Sequence, residues 1–105
     1  MTRREKIEAM LADDPRDIFL RYSLALELGN EGQIEACLSR LGELMQDDPP
    51  YVPAFFMAAQ RLAGQGRVDE ARDALRDGID QARQQGDLHA AGEMSEMLAS
   101  LGGTS

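Results

Sequence analysis

The chain has 105 residues, 43% of them hydrophobic and 29% charged, a globular composition without low-complexity runs. Nineteen acids against eleven bases leave a net charge of −8. Phosphate backbones and anionic lipids demand clustered Lys and Arg, so nucleic acid and membrane surfaces are not expected partners.

The length fits one domain, large enough for its own core. No apolar run approaches the roughly 18 residues that span a bilayer. The basic start, Thr2-Arg3-Arg4-Glu5-Lys6, lacks the apolar region of a signal peptide. Cys37 is the one cysteine and has no internal disulfide partner. The expectation is a cytoplasmic protein.

Six helices are expected in chain order. The first covers about Thr2 to Ala12, with Ile7, Met10 and Leu11 on one face. Asp14-Pro15 ends it, and Pro15 suits the first turn of a second helix from about Arg16 to Leu28. Gly29-Asn30-Glu31-Gly32 breaks that helix, because Gly and Asn tolerate the left-handed backbone of a helix exit. A third runs from about Gln33 to Gln46, with Ile34, Cys37, Leu38, Leu41, Leu44 and Met45 inward, and Asp48-Pro49-Pro50 stops it.

The fourth helix starts between Tyr51 and Pro53 and carries Phe55, Phe56, Ala58, Ala59 and Leu62 to Gly64-Gln65-Gly66. In the fifth, from Arg67 to about Gln85, Val68, Ala71, Leu75, Ile79 and Ala82 form one stripe. Its outer face spaces Asp69 with Arg72, Asp73 with Arg76, and Asp80 with Arg83 as i, i+3 pairs, each worth about 0.2–0.5 kcal/mol. Gly86 ends it, and Asp87 caps a sixth helix from Leu88 to about Leu101. Residues 102–105 read as a flexible tail. The short connections make neighbouring helices antiparallel.

A repeat underlies this punctuation. Asp13-Asp14-Pro15 returns 34 residues later as Asp47-Asp48-Pro49. At the same spacing Gly32 returns as Gly66, Ile34 as Val68, Leu41 as Leu75 and Met45 as Ile79. Leu24, Ala25 and Leu28 return as Ala58, Ala59 and Leu62. A fixed period with helical spacing inside it marks a stack of helix pairs, in which no single pair can bury its own apolar face.

The pattern resembles the tetratricopeptide repeat, a helix hairpin marked by spaced Trp, Leu-Gly, Tyr, Ala, Phe and Pro. In residues 52–85, Phe55 stands at the Trp position, Ala58-Ala59 at Leu-Gly, Leu62 at Tyr, Ala71 at Ala and Leu75 at Phe. In residues 18–51, Leu24-Ala25, Leu28, Gly32, Cys37, Leu41 and Pro49 keep the register. Residues 2–17 match the second half of a preceding unit, and a terminal helix at 87–101 fits the pattern poorly. Two departures stand out: Arg21 in place of the first unit's aromatic, and Arg83 in place of the second unit's proline. The resemblance implies an all-α, right-handed helical-hairpin solenoid of about six antiparallel helices, one domain over residues 1–101. It also implies a partner that is another protein or peptide segment.

The remaining chemistry is sparse. Cys37 occupies a small-residue core position, and His89, the one histidine, lies in the first turn of the sixth helix beside Asp87. Asp13-Asp14 and Asp47-Asp48 fall at repeat turns, where capping and solvation explain them. No metal set, nucleophile–base pair or phosphate loop is present, so an enzyme, a cofactor and a metal site are not expected. The methionines read as core, with Met94 and Met97 partly exposed on the terminal helix.

In the resembled family the first helix of each hairpin lines a concave surface. By register this brings Phe19, Tyr22 and Leu26 together with Phe56 and Gln60, an apolar and aromatic group suited to a short apolar or amphipathic segment. Tyr22, Leu26 and Met57 fill positions where carboxylate-clamping members carry Lys, Asn and Arg, which argues against an acidic-tail ligand. The second reading is structural, a homodimer formed through the same face or the sixth helix.

The ten arginines beside a single lysine (Lys6) fit either GC-rich coding or a surface adapted to salt. With acids in excess, self-repulsion is screened as ionic strength rises. The melting temperature should therefore rise modestly from low salt to molar NaCl in a calorimetric series; a flat or falling series would remove repulsion as a term.

Overall fold

The computed structural model describes residues 1–102, so part of the tail expected at 102–105 lies outside the described residues. Six helices follow one another: α1 Arg3–Asp13, α2 Ile18–Asn30, α3 Ile34–Met45, α4 Val52–Gly64, α5 Val68–Gln84 and α6 Leu88–Gly102. There is no strand among these residues.

Local chemistry sets the ends. Thr2 and Glu5 form a reciprocal capping box, the Glu5 N–H donating to Thr2 Oγ1 at 3.1 Å and the Thr2 N–H to Glu5 Oε1 at 2.7 Å. Asp87 caps α6 as expected, accepting the Ala90 N–H at 3.1 Å. At α2 the start differs from the expected Arg16. Asp17 accepts the Leu20 N–H at 2.8 Å, and so Pro15-Arg16 is left as a turn before the cap. A carboxylate free to reach an orphan amide fixes the boundary more strongly than a proline that only tolerates it. At α4, Pro53 sits in the first turn, where its missing N–H costs nothing.

Three connections share one turn. Gly32, Gly66 and Gly86 have φ of 84°, 77° and 79°, a conformation that side chains oppose. The residue after each glycine donates back across the turn: Gln33 to Leu28 O at 2.9 Å, Arg67 to Leu62 O at 2.9 Å, and Asp87 to Ala82 O at 2.8 Å. The other two connections carry the prolines. Thus the link from α5 to α6 is built like the turn inside a hairpin, not like the proline links at Pro15 and Pro49.

Packing follows chain order. Each helix packs on the next, and α6 also touches α4. The result is elongated, 46 × 30 × 18 Å. One core cluster joins Ile7, Leu24, Ala25, Leu28, Cys37, Leu41 and Leu44 to Ala54 and Ala58 of α4. The other joins Val52, Phe55, Ala59 and Leu62 to the α5 stripe and to Ala91 and Met94 of α6. Half-buried Leu38 and Met45 pack against both, and no polar or charged side chain is buried among the described residues.

Two expected faces need correction. Met10 is 49% exposed, because α1 packs chiefly on α2 and buries only Ile7. Met94 is fully buried, not partly exposed. It fills the space above Gly78, where a Cβ would stand 2.6 Å from Met94 Sδ and 2.6 Å from Phe55 Cβ. Met97 is half-buried as expected. On the outside of α5, Asp69–Arg72 and Asp73–Arg76 close at 3.0 and 3.3 Å, whereas Asp80 and Arg83 form no ion pair. Arg72 also reaches from α5 to the Leu101 carbonyl at 2.7 Å, tying down the end of α6.

The helical glycines separate into two kinds. Gly78 has no room for a methyl group, while a Cβ on Gly42 of α3 would meet nothing within 4 Å. Gly78→Ala should lose about 1–3 kcal/mol through overpacking, and Gly42→Ala should gain about 0.5–1 kcal/mol by removing a helix-interior glycine. Urea unfolding of both variants checks the pair; equal shifts would contradict the packing described.

Candidate functional site

The residues expected to line a binding surface lie on α2 and α4. Phe19, Tyr22 and Leu26 lie along one face of α2, and Phe56 and Gln60 occupy the corresponding face of α4. Phe19 is 72% exposed. Tyr22, Leu26 and Phe56 are half-buried, and Gln60 is exposed. Tyr22 leans on Tyr51, ring centroids 5.3 Å apart and planes at 70°, an edge-on contact that holds its ring in place. Burial beside Tyr51 raises the Tyr22 phenol above its ordinary value, so it stays a neutral donor. Phe56 packs against the α4–α6 core with part of its ring outside. Helix α6 packs on α5 and α4 and makes no such packing with α2, which leaves the α2 half of this face uncovered.

The structure also explains why α6 resists the repeat pattern. Its buried residues are Ala91 and Met94, which answer to Phe55 and Ala58 of α4 at a separation of 36 residues, not 34. In this shifted register His89, Gly92 and Glu96 continue the face of Tyr22 and Phe56, residues that a 34-residue register does not place there. The signal for them was the missing proline: with Arg83 in its place, α5 runs on to Gln84 and the next unit starts late. His89 is solvent-exposed, its Nε2 3.4 Å from Glu93 Oε1.

Around the face the charged residues brace helix to helix. Arg21 is no gap in the aromatic pattern. Its guanidinium donates to both oxygens of Asp47, at 2.7 and 3.1 Å, and ties α2 to the α3–α4 link. This bond holds the Asp47 carboxyl below its usual range and raises Arg21. Arg61 of α4 lies across the buried Gly29 of α2, where a Cβ would stand 2.8 Å from its Cζ, and its Nη2 donates to Asn30 Oδ1 at 3.1 Å. Arg67 bridges Glu35 and Glu70. Cys37 is buried as expected, and burial pushes its thiol up, which keeps it unreactive. No cluster of potential metal ligands occurs among the described residues, and no described helix is long and apolar enough to cross a membrane.

Stacked helix hairpins with a partly exposed apolar face define a helical-repeat protein of the kind generally used for protein interaction. Solved structures agree. The solution structure of a tetratricopeptide repeat domain protein from Salinibacter ruber is similar with a TM-score of 0.80 and 28% identity, over 87% of this chain and 92% of that one. A crystal structure of a tetratricopeptide repeat domain protein from the same organism gives 0.74 and 28%, over 85% and 100%. The solution structure of a Bordetella parapertussis protein gives 0.80 and 31%, over 96% and 88%. No family model and no curated protein matches the chain. The six helices fit a small tetratricopeptide repeat array, the class to which these structural neighbours belong.

The Arg21–Asp47 pair generates a pH dependence. The folded pKa of Asp47 is depressed, so its contribution is present above the unfolded value near 3.9 and is lost as pH falls through the folded value. Asp47→Asn should cost about 1 kcal/mol at pH 7, the level of a half-buried two-bond pair. The difference from wild type should shrink below about pH 4. Urea unfolding at several pH values measures it; a difference constant down to pH 2 would deny the pair its role.

Proposed function

We propose that this protein is a docking module that takes a short apolar or amphipathic segment of a partner protein across the face of α2 and α4. The carrying observation is the exposure of Phe19 beside half-buried Tyr22, Leu26 and Phe56 on a face that α6 leaves open over α2. Contiguous apolar rings in water are a mark of interaction surfaces. Tyr22 and Phe56 are rooted in the cores of their own hairpins, so they offer fixed anchors with little side-chain entropy left to lose. Gln60 and Glu96 supply polar partners at the rim. The Lys, Asn and Arg of carboxylate-clamping relatives are replaced at Tyr22, Leu26 and Met57, which favours an apolar ligand over a terminal carboxylate. Tetratricopeptide neighbours are typically non-catalytic, consistent with a binding role.

A homodimer through the same face is the second reading, favoured by the 72% exposure of Phe19. Light scattering across a concentration series separates the two, since only a dimer changes mass. For segment docking the affinity should be micromolar, as for other small interfaces. Tyr22→Ala with Phe56→Ala should weaken capture of the native partner about tenfold or more while helicity is retained. A folded double variant that captures the same partners equally would move the binding surface elsewhere.

A further inference from the structure

A second groove lies on another part of the array, between the outer helices. We propose that it receives a basic amphipathic helix of a partner protein. The groove runs between α3 and α5. On its α3 side stand Leu38, Gly42 and Met45, spaced i, i+4, i+7, and Ala58 and Leu62 of α4 form the floor. The space has a volume of about 360 Å³. Beyond Met45 and Asp77 it continues into a second depression of about 250 Å³ that reaches Asp80 and Gln84. At the opposite end Arg67 crosses from α5 to Glu35 on α3, 2.7 Å away. The trench is therefore closed at one end and open at the other.

Its two walls differ in chemistry. The α3 wall and the floor are apolar. The α5 wall carries Glu70, Asp73, Asp77 and Asp80, a helical stripe spanning about 15 Å at 1.5 Å per residue. Arg67 binds Glu70 and Arg76 binds Asp73, whereas Asp77 and Asp80 form no ion pair among the described residues. An apolar wall opposite a partly unneutralised acidic one matches a helix with Leu-like residues on one side and Lys or Arg on the adjoining side, over about three turns.

The width of the groove at its middle follows from Gly42. Gly42 sits inside α3, where glycine is the least favourable residue after proline. Nothing in the fold needs it: its φ is not positive, and a Cβ would meet nothing within 4 Å. Gly29 and Gly78, by contrast, are each explained by a side chain lying against them, while Gly92 inside α6 is as open as Gly42. Gly42 widens the groove at its middle, which allows the close approach of a second helix. This site shares no residue with the α2–α4 face and stands or falls separately from it.

The test uses an 18-residue synthetic Leu/Lys peptide with a helical apolar stripe, a scrambled peptide of the same composition and a Leu/Glu counterpart, followed by fluorescence anisotropy and by amide shifts of the labelled protein. The Leu/Lys peptide should bind at micromolar concentration and shift Leu38, Gly42, Met45 and Asp77. The scrambled and Leu/Glu peptides should bind at least tenfold more weakly. Gly42→Leu should fill the groove and weaken binding at least tenfold, and Asp77→Lys with Asp80→Lys should do the same without relying on that substitution to fold. Met10→Ala, on the exposed side of α1 and outside both surfaces, should leave the affinity unchanged. Equal binding of the scrambled peptide, or shifts spread over all helices, would reduce the effect to general attraction by an acidic protein and overturn the proposal. Shifts confined to Phe19, Tyr22 and Phe56, or undiminished binding by folded Gly42→Leu, would overturn it as well. So would concentration-dependent shifts at Leu38 and Met45 without peptide, which would assign the groove to a second copy of this chain.

Discussion

At Gly78 three helices meet on a position without a side chain. Phe55 of α4 and Met94 of α6 both occupy the space that a Cβ would take. With Gly78 beneath them, Phe55 brings the second hairpin together and Met94 pins the last helix onto it. Interiors are packed to crystal-like density, so a methyl group here could not be absorbed without moving a helix. The course of α6 follows from this contact. Because α6 is drawn toward α4 and α5, it does not fold back over α2, and the aromatic face of the first hairpin keeps its exposure.

The rest of the stack depends on a weaker junction. The two core clusters meet where α3 packs on α4, through Leu38 and Met45 of α3, which are half-buried and touch both. Polar braces supplement that contact. Arg21 reaches Asp47, Arg61 reaches Asn30, and Arg67 reaches Glu35, each tying parts of the chain that lie far apart in sequence. Exposed ion pairs contribute little individually. Their place is between the hairpins, where each joins residues 26 or more positions apart. The acidic surface that argues against nucleic acid is unevenly distributed, and on α5 it forms one wall of a trench whose other wall is apolar.

Much of the fold was legible because its punctuation is local. Gly32 and Gly66 required a left-handed backbone, Asp87 sat at capping distance from Ala90, and the apolar spacing of α3 and α5 left one register available. Burial of Cys37 followed from the same spacing. What escaped depended on long-range contacts. Met94 is buried only because Gly78 lies opposite, and Arg21 found a partner 26 residues away. The poor fit of α6 to the repeat has a physical reason: with Arg83 in place of proline, α5 runs on to Gln84 and the next unit starts two positions late. Register assigned Phe19, Tyr22 and Leu26 to α2 and Phe56 and Gln60 to α4. Their openness could not be read from register, because it depends on where α6 packs.

The position of Cys37 has a kinetic consequence. Its thiol is sealed within the first hairpin's cluster, and its elevated pKa leaves almost no thiolate at neutral pH. In a linear stack, the units need not open together, because each contacts only its neighbours. Reagent would reach this sulfur only when the cluster of α2, α3 and α4 opens, so its labelling rate is a clock for opening of that part of the stack. The chain thus carries one native reporter that distinguishes fraying at the α1 end from loss of the Gly78 contact at the other.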